Sequence, residues 1–211
     1  NDWQITAADA GTLNGVAFTR IGNLLGGSAE DSFSVGTGGS LSGLLDGGAD
    51  DAAAVAEDLL DFALLTGPLT VDLGAAAAGA IHEYSRIDKM KGSQSTADRI
   101  DGPATAYVRW TVTGADAVTV TDIEFSGFEN LRGAANNTDA FVFEVGGSVS
   151  GLVDGGSGGD DGLLLYNPSD PANAYMLHMP SDDFALNGFS VFSYTVNFAG
   201  MDAQEVAYGD D

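Results

Sequence analysis

The residues of this chain best suited to chemistry are aspartates set in glycine-rich turns. Asp31 follows Gly26-Gly-Ser-Ala-Glu30, and Asp46 precedes Gly47-Gly48, with Asp50 and Asp51 close behind. Asp139 follows Gly133-Ala-Ala-Asn-Asn-Thr138, while Asp154, Asp160 and Asp161 flank Gly155-Gly-Ser-Gly-Gly159. Carboxylates and turn carbonyls are hard oxygen donors, the kind of ligand set that holds Ca²⁺. Asp154 to Asp161 is the strongest stretch, because adjacent carboxylates there have no cation nearby in sequence. Asp46, Asp50 and Asp51 are its earlier counterpart. The same residues have a second reading, in which Asp side chains cap backbone N–H groups at corners and no metal is involved.

Other chemistry is thinly supplied. His82 and His178 are single, with no His or Glu companion at ligand spacing. Gly155-Gly-Ser157-Gly-Gly159 satisfies G-x-S-x-G, but a nucleophile elbow needs a strand before it, a helix after it and a His partner; a glycine-rich turn is the expectation. Paired carboxylates are abundant enough for glycosidase or lyase chemistry, yet only Arg86, Lys89, Lys91 and Arg99 gather cations beside them. No enzyme is expected. Tyr107, Arg109 and Trp110 form a candidate sugar-binding platform, although Trp110 and Trp3 hold equivalent repeat positions, which favours packing.

Composition narrows the partners. Among 211 residues there are 31 acids against seven Lys and Arg, a formal charge of −24. Nucleic acid binding needs cations to replace counterions, so that partner is excluded, and an anionic membrane surface is disfavoured likewise. No apolar run approaches the roughly 20 residues that cross a bilayer as a helix. Without cysteine there is no disulfide framework. The chain begins at Asn1 without a signal peptide, which predicts a processed product or an excised piece. Twenty-four of the 31 acids are Asp, a turn-former rather than a helix-former. Residues 133–211 hold 12 acids and no cation, so they repel one another unless extended, screened by salt or neutralised by metal.

The elements that must position these residues come from a duplication. Trp3-Gln-Ile-Thr-Ala-Ala-Asp9 returns as Trp110-Thr-Val-Thr-Gly-Ala-Asp116, and Gly38-Gly-Ser-Leu-Ser-Gly-Leu-Leu-Asp-Gly-Gly48 returns as Gly146-Gly-Ser-Val-Ser-Gly-Leu-Val-Asp-Gly-Gly156. Residues 3–48 give 21 identities in 46 aligned positions, with one residue inserted in the second copy. The copies span 1–109 and 110–211. Shorter echoes begin at Phe18, Tyr84, Phe125 and Phe189. The steps between those starts approximate three, two and three units of about 21 residues, the length of one coil of a parallel β-solenoid. Apolar runs such as Leu69–Leu73 and Ala140–Val145 end in turn residues, as strands do. Only residues 50–65 read as a short helix or an ordered loop.

Asn-Leu-x-Gly-Gly-Ser-x-x-Asp-x-Phe, followed by Gly-Gly-Ser-x-Ser-Gly-x-x-Asp-Gly-Gly, resembles repeat modules of giant secreted bacterial adhesins of the filamentous-haemagglutinin-like and RTX types. The likeness covers the first two thirds of each copy, and the remainder of the second copy departs from it. It implies a right-handed β-solenoid, secretion, and a structural or adhesive role at the cell surface. It also implies Ca²⁺ at turns of the form G-G-x-G-x-D-x-U-x, which Gly26–Ser34 and Gly155–Leu163 match in part and not in tandem. The expectation is an all-β, right-handed parallel solenoid of roughly ten coils. It would be an extracellular module stacking on itself or on neighbouring repeats. A calcium-dependent polysaccharide-binding module is the alternative, and a β-helix polysaccharide lyase or hydrolase the third reading.

Overall fold

The computed structural model describes residues 1–49 and 57–165, together with the backbone of Tyr175–His178 and Ala185–Ser190. The chain is all-β, with no helix among the described residues. It opens with a meander of β1 (Asp2–Ala7), β2 (Ala10–Leu13) and β3 (Val16–Thr19). The first copy continues through β4 (Leu24–Leu25), β5 (Ser32–Val35), β6 (Leu41–Asp46), β7 (Leu59–Asp61) and β8 (Thr70–Asp72). It ends with β9 (Ala77–Ala78), β10 (Ile81–Ser85), β11 (Lys89–Lys91) and β12 (Arg99–Asp101). The second copy repeats the meander as β13 (Tyr107–Gly114), β14 (Ala117–Val120) and β15 (Ile123–Ser126). β16 (Asn130–Arg132), β17 (Thr138–Phe143), β18 (Ser148–Asp154), β19 (Gly162–Leu165), β20 (Tyr175–His178) and β21 (Ala185–Ser190) follow.

These strands form two open sheets, of 12 and nine strands, each mixing parallel and antiparallel neighbours. Where the chain returns to a sheet it often pairs parallel with its own earlier turn, like residue beside like residue. In the larger sheet Trp3 lies beside Phe33, Phe33 beside Leu60, Leu60 beside Met90, and Met90 beside Phe125. In the smaller, Val71 lies beside Ile100, Ile100 beside Leu131, and Leu131 beside Val153. All of them belong to one continuous apolar core. Period-2 alternation explains which side chains enter it: along β13, Val108, Trp110 and Val112 are buried while Tyr107 and Arg109 face outward.

The purely parallel, uniform expectation is corrected in two respects. β2, β3, β9, β14, β20 and β21 each run antiparallel to a neighbour. Parallel returns keep the expected coil length only where the circuit is direct, as from Leu24 to Leu45 or Phe141 to Leu163. Elsewhere meanders and long turns stretch the step, as from Trp3 to Phe33 and from Met90 to Phe125. The recurring sequence echo marks a corner rather than a coil length. Its third residue, Arg20, Arg86 or Gly127, has positive φ (60°, 50° and 72°) and turns the chain out of β3, β10 and β15. The helix or loop expected over 50–65 lies partly outside the described residues, at 50–56. Its later part is strand β7, because Leu60 is buried between Phe33 and Met90 and that pairing overrides helix propensity.

Consecutive corners approach so closely that some positions admit no side chain. A Cβ on Gly26 would overlap the Gly47 carbonyl oxygen, and one on Gly133 the Gly155 carbonyl oxygen. Gly67, by contrast, faces open space. Gly26→Ala is therefore expected to destabilise the chain by about 2–3 kcal/mol and Gly67→Ala to leave it within about 0.5 kcal/mol of the parent. Urea unfolding of the two variants checks the pair; equal midpoints would contradict the close stacking.

Candidate functional site

Strand starts in this fold are marked by a carboxylate two residues ahead of a buried apolar side chain. The pairs are Asp31/Phe33, Asp58/Leu60, Asp88/Met90, Asp98/Ile100, Glu129/Leu131, Asp139/Phe141 and Asp161/Leu163. The chain bends at this point, so the backbone N–H there leaves the strand ladder and needs another acceptor. The carboxylate of the following turn supplies it. Asp31 N–H donates to Asp58 (2.8 Å) and Asp58 N–H to Asp88 (2.8 Å). Leu69 N–H donates to Asp98 (2.7 Å), Asp98 N–H to Glu129 (2.8 Å) and Asp139 N–H to Asp161 (2.8 Å). A second set of aspartates marks strand ends by accepting the N–H two residues on: Asp46 from Gly48, Asp61 from Ala63, Asp72 from Gly74 and Asp154 from Gly156. Short Asp side chains suit both positions, which accounts for the Asp-to-Glu imbalance.

Asp31 and Asp139 are equivalent in the two copies, yet their surroundings differ. Each accepts the indole N–H of its copy's tryptophan, Trp3 at 2.9 Å and Trp110 at 2.7 Å, and each indole stacks on the phenylalanine that follows. Asp31 also accepts the Gly27 N–H (2.7 Å) and the Asn1 amide (2.6 Å). Burial pushes its carboxyl up, but these hydrogen bonds together outweigh burial and hold it below the ordinary value. In the second copy the turn is one residue longer. Asp139 Oδ2 is buried near the Ala134 N–H and the Asn137 amide, without hydrogen-bond geometry to either, and both amide atoms of Asn137 are buried without partners. Burial, reinforced by the Asp161 charge, pushes Asp139 up to about 6 despite Trp110. Asp161 is likewise raised by burial.

The residues singled out as metal ligands are thus mostly dispersed along the stack. Asp31 is engaged by N–H donors, and Asp46 is clasped by the Arg86 guanidinium, whose hydrogen bond holds that carboxyl low. Asp139 and Asp161 are brought together, with Asp160 beside them and Asp154 capping its own turn. Asp50 and Asp51 lie outside the described residues. Among the described residues no three acidic or imidazole side chains converge as a metal centre. The Tyr107, Arg109, Trp110 platform is corrected: the pleat puts Tyr107 and Arg109 outside and buries Trp110 completely, so the indole offers no face to a sugar. Ser157 lies in a turn between β18 and β19, so a strand rather than a helix comes next in the chain. Of the cations weighed for a lyase, Arg86 pairs with Asp46, Lys89 with Glu57 and Glu124, and Lys91 with Asp61 of adjoining segments, while Arg99 pairs with Asp101 of its own strand, which Arg132 also reaches from β16. All are too exposed to contribute much stability.

Asp58, Asp98 and Glu129 escape a reading built on glycine motifs, although acid-x-apolar at a strand start is the signal that finds them. Asp9 and Asp116 escape too: each accepts the backbone N–H and the hydroxyl of one serine, Ser42 on β6 or Ser150 on β18.

Identical substitutions should act oppositely in the two copies. Asp31 has a lowered value, so its stabilisation is in place above 3.8 and is lost as pH falls through the folded value. Asp139 has a raised value, so stability declines as pH climbs from 3.8 to about 6 and stays reduced above it. At pH 7, Asp31→Asn is expected to cost about 2 kcal/mol. Asp139→Asn keeps an acceptor for Trp110, removes a buried charge, and should be neutral or stabilising while flattening the decline towards pH 6. Urea melts of both variants between pH 4 and 7 check this, and equal losses at pH 7 would contradict it.

Comparison with protein-family models, with curated proteins and with solved structures finds no match to this chain.

Proposed function

We propose that this chain is a non-enzymatic structural or adhesive module of an extracellular protein, a right-handed β-solenoid built for stacking repeat on repeat. The observation that carries the reading is the joint between the copies. It runs through both sheets, with β11 parallel to β15 and β12 parallel to β16. Across it Met90 lies beside Phe125 and Ile100 beside Leu131, so the apolar core passes from one copy to the next without a break. A scaffold needs this continuity. The polar side chains described above serve backbone capping and strapping, which also favours a scaffold over a catalyst.

Calcium is the ion such a module would take. The oxygens that best fit it are the orphaned Asp139 Oδ2 and Asn137 Oδ1, beside Asp161, where one bound cation would answer both the missing hydrogen bonds and the repulsion between carboxylates. The second reading, polysaccharide recognition, is favoured by the shallow groove where exposed Tyr107 and Arg109 meet Thr119 and Asp122.

Thermal melts with calcium and with chelator, beside titration with uronic-acid polymers, test the proposal. The melting temperature should rise by several degrees with calcium, by linkage, and Asp139→Asn should remove most of that rise. The chain should show no saturable polymer binding. Saturable binding by the monomer, lost in Tyr107→Ala, would transfer the function to sugar recognition; an unchanged melting temperature would remove calcium from it.

A further inference from the structure

Three of the six exposed large apolar side chains among the described residues lie at the start of the stack: Val16 (71% exposed), Ile21 (44%) and Leu25 (64%). They sit on β3 and β4 and on the corner between them, and these strands are edges of the larger and the smaller sheet respectively. Their equivalents in the second copy are Ile123, Phe128 and Arg132, on β15, β16 and the intervening corner. There the same face is covered: β11 lies on β15 and β12 on β16, and Phe128 is fully buried. The backbone arrangement is shared by the two copies. Glu124 N–H donates to the Asp88 carbonyl (2.8 Å) and Asn130 N–H to the Asp98 carbonyl (2.9 Å), and the equivalent donors on the open face are Ala17 and Asn23.

The side chains differ at the charged positions of the joint, while the corner itself goes the other way, with Arg20 on the open face where the joint has Gly127. At the internal joint Glu124 meets Lys89 (3.7 Å), Glu129 accepts the Asp98 N–H, and Arg132 meets Asp101 (3.2 Å). On the open face these positions are Ala17, Gly22 and Leu25. Every charged member of the joint is replaced by a small or apolar residue. A covering coil like β11–β12 would lose its cross-joint partners here: Lys89 would keep only Glu57 and Asp101 only Arg99, while the buried Asp98 N–H would find Gly22 in place of its carboxylate acceptor, which is the costly loss.

Resting on the stacking function proposed above, we propose that the β3–β4 face is a docking surface for the last coil of a preceding repeat in the same polypeptide. That coil pairs parallel with β3 and β4 in the register of the internal joint and carries uncharged side chains where the first copy has Lys89 and Asp101. The occupant follows from continuity with the joint already present. Its chemistry follows from the three replaced charges, which also bias the face against this chain's own β11–β12 coil.

Residues 1–107 fused ahead of Asn1 reproduce the spacing between Trp3 and Trp110, so an added copy reaches the face at native length. With Lys89→Val and Asp101→Val in the added copy, the Ala17 and Asn23 amides of the following copy should exchange at least about 10-fold more slowly than in the parent chain, and the unsubstituted fusion should protect them less. Ala17→Pro in that copy removes the outward donor at an edge strand that tolerates proline, and should return Asn23 to its parent rate. Unprotected amides in the substituted fusion, or greater protection in the unsubstituted one, would overturn the proposal. So would protection gained by the parent chain on concentration alone, since that assigns the face to a second molecule. A single cooperative melt of residues 1–211, recorded in the same experiment, keeps the scaffold function standing if only the docking fails.

Discussion

The constraint on which this structure depends is the backbone N–H stranded where the chain enters β5, β7, β8, β12 and β17. A chain that circles back to lie beside itself bends before these strands, and the bend removes one donor from the ladder. A buried donor without an acceptor costs about 1–3 kcal/mol, and the cost recurs at each return of the chain. A carboxylate one turn further along removes it, as when Asp58 receives Asp31 N–H and Glu129 receives Asp98 N–H. The spacing from that carboxylate to the next buried apolar residue then fixes the register of the core. Capping, stacking and burial are therefore coupled at the same corners.

The same arrangement explains the charge. Acids at both ends of the strands raise the negative charge as turns accumulate, and four of the seven cations, Arg86, Lys89, Lys91 and Arg132, strap adjoining turns together on their outer faces. Where the capping set is complete, as around Asp31, hydrogen bonds keep the carboxylate ionised. Where an inserted residue disturbs it, as around Asp139, buried oxygens are left without donors. The second copy is thus the place at which a cation or a proton has most to offer. Stability in a protein made of such turns is set corner by corner, which suits the stacked module proposed above.

Much of this is legible from residues alone. The duplication, the all-β class and the glycine-marked corners follow from motifs such as Gly38–Gly48 and its return at Gly146–Gly156. The antiparallel meanders do not, although Asn14-Gly15, with positive φ at both residues, closes the hairpin between β2 and β3 in the manner expected of that dipeptide. Coil length stays hidden because a repeated corner looks the same whether the circuit between corners is direct or carries a meander. Glycine neighbours point to Asp31 and Asp139 but pass over Asp58 and Asp98, whose signal is the apolar residue two places on. Tyr107 and Arg109 suggest a sugar platform that includes Trp110, whereas strand alternation sends the indole to the opposite face.

Amide hydrogen exchange at Asp31, Asp58, Leu69, Asp98 and Asp139 is the most direct test of carboxylate capping. These five amides each donate to a carboxylate rather than to a strand neighbour. If capping at the strand starts holds the turns together, they should exchange as slowly as core strand amides such as those of Phe33 and Ile100, opening only with global unfolding. Exchange at the rate of exposed loop amides, with the strands still protected, would show that the turns stack without the carboxylates and would contradict the account.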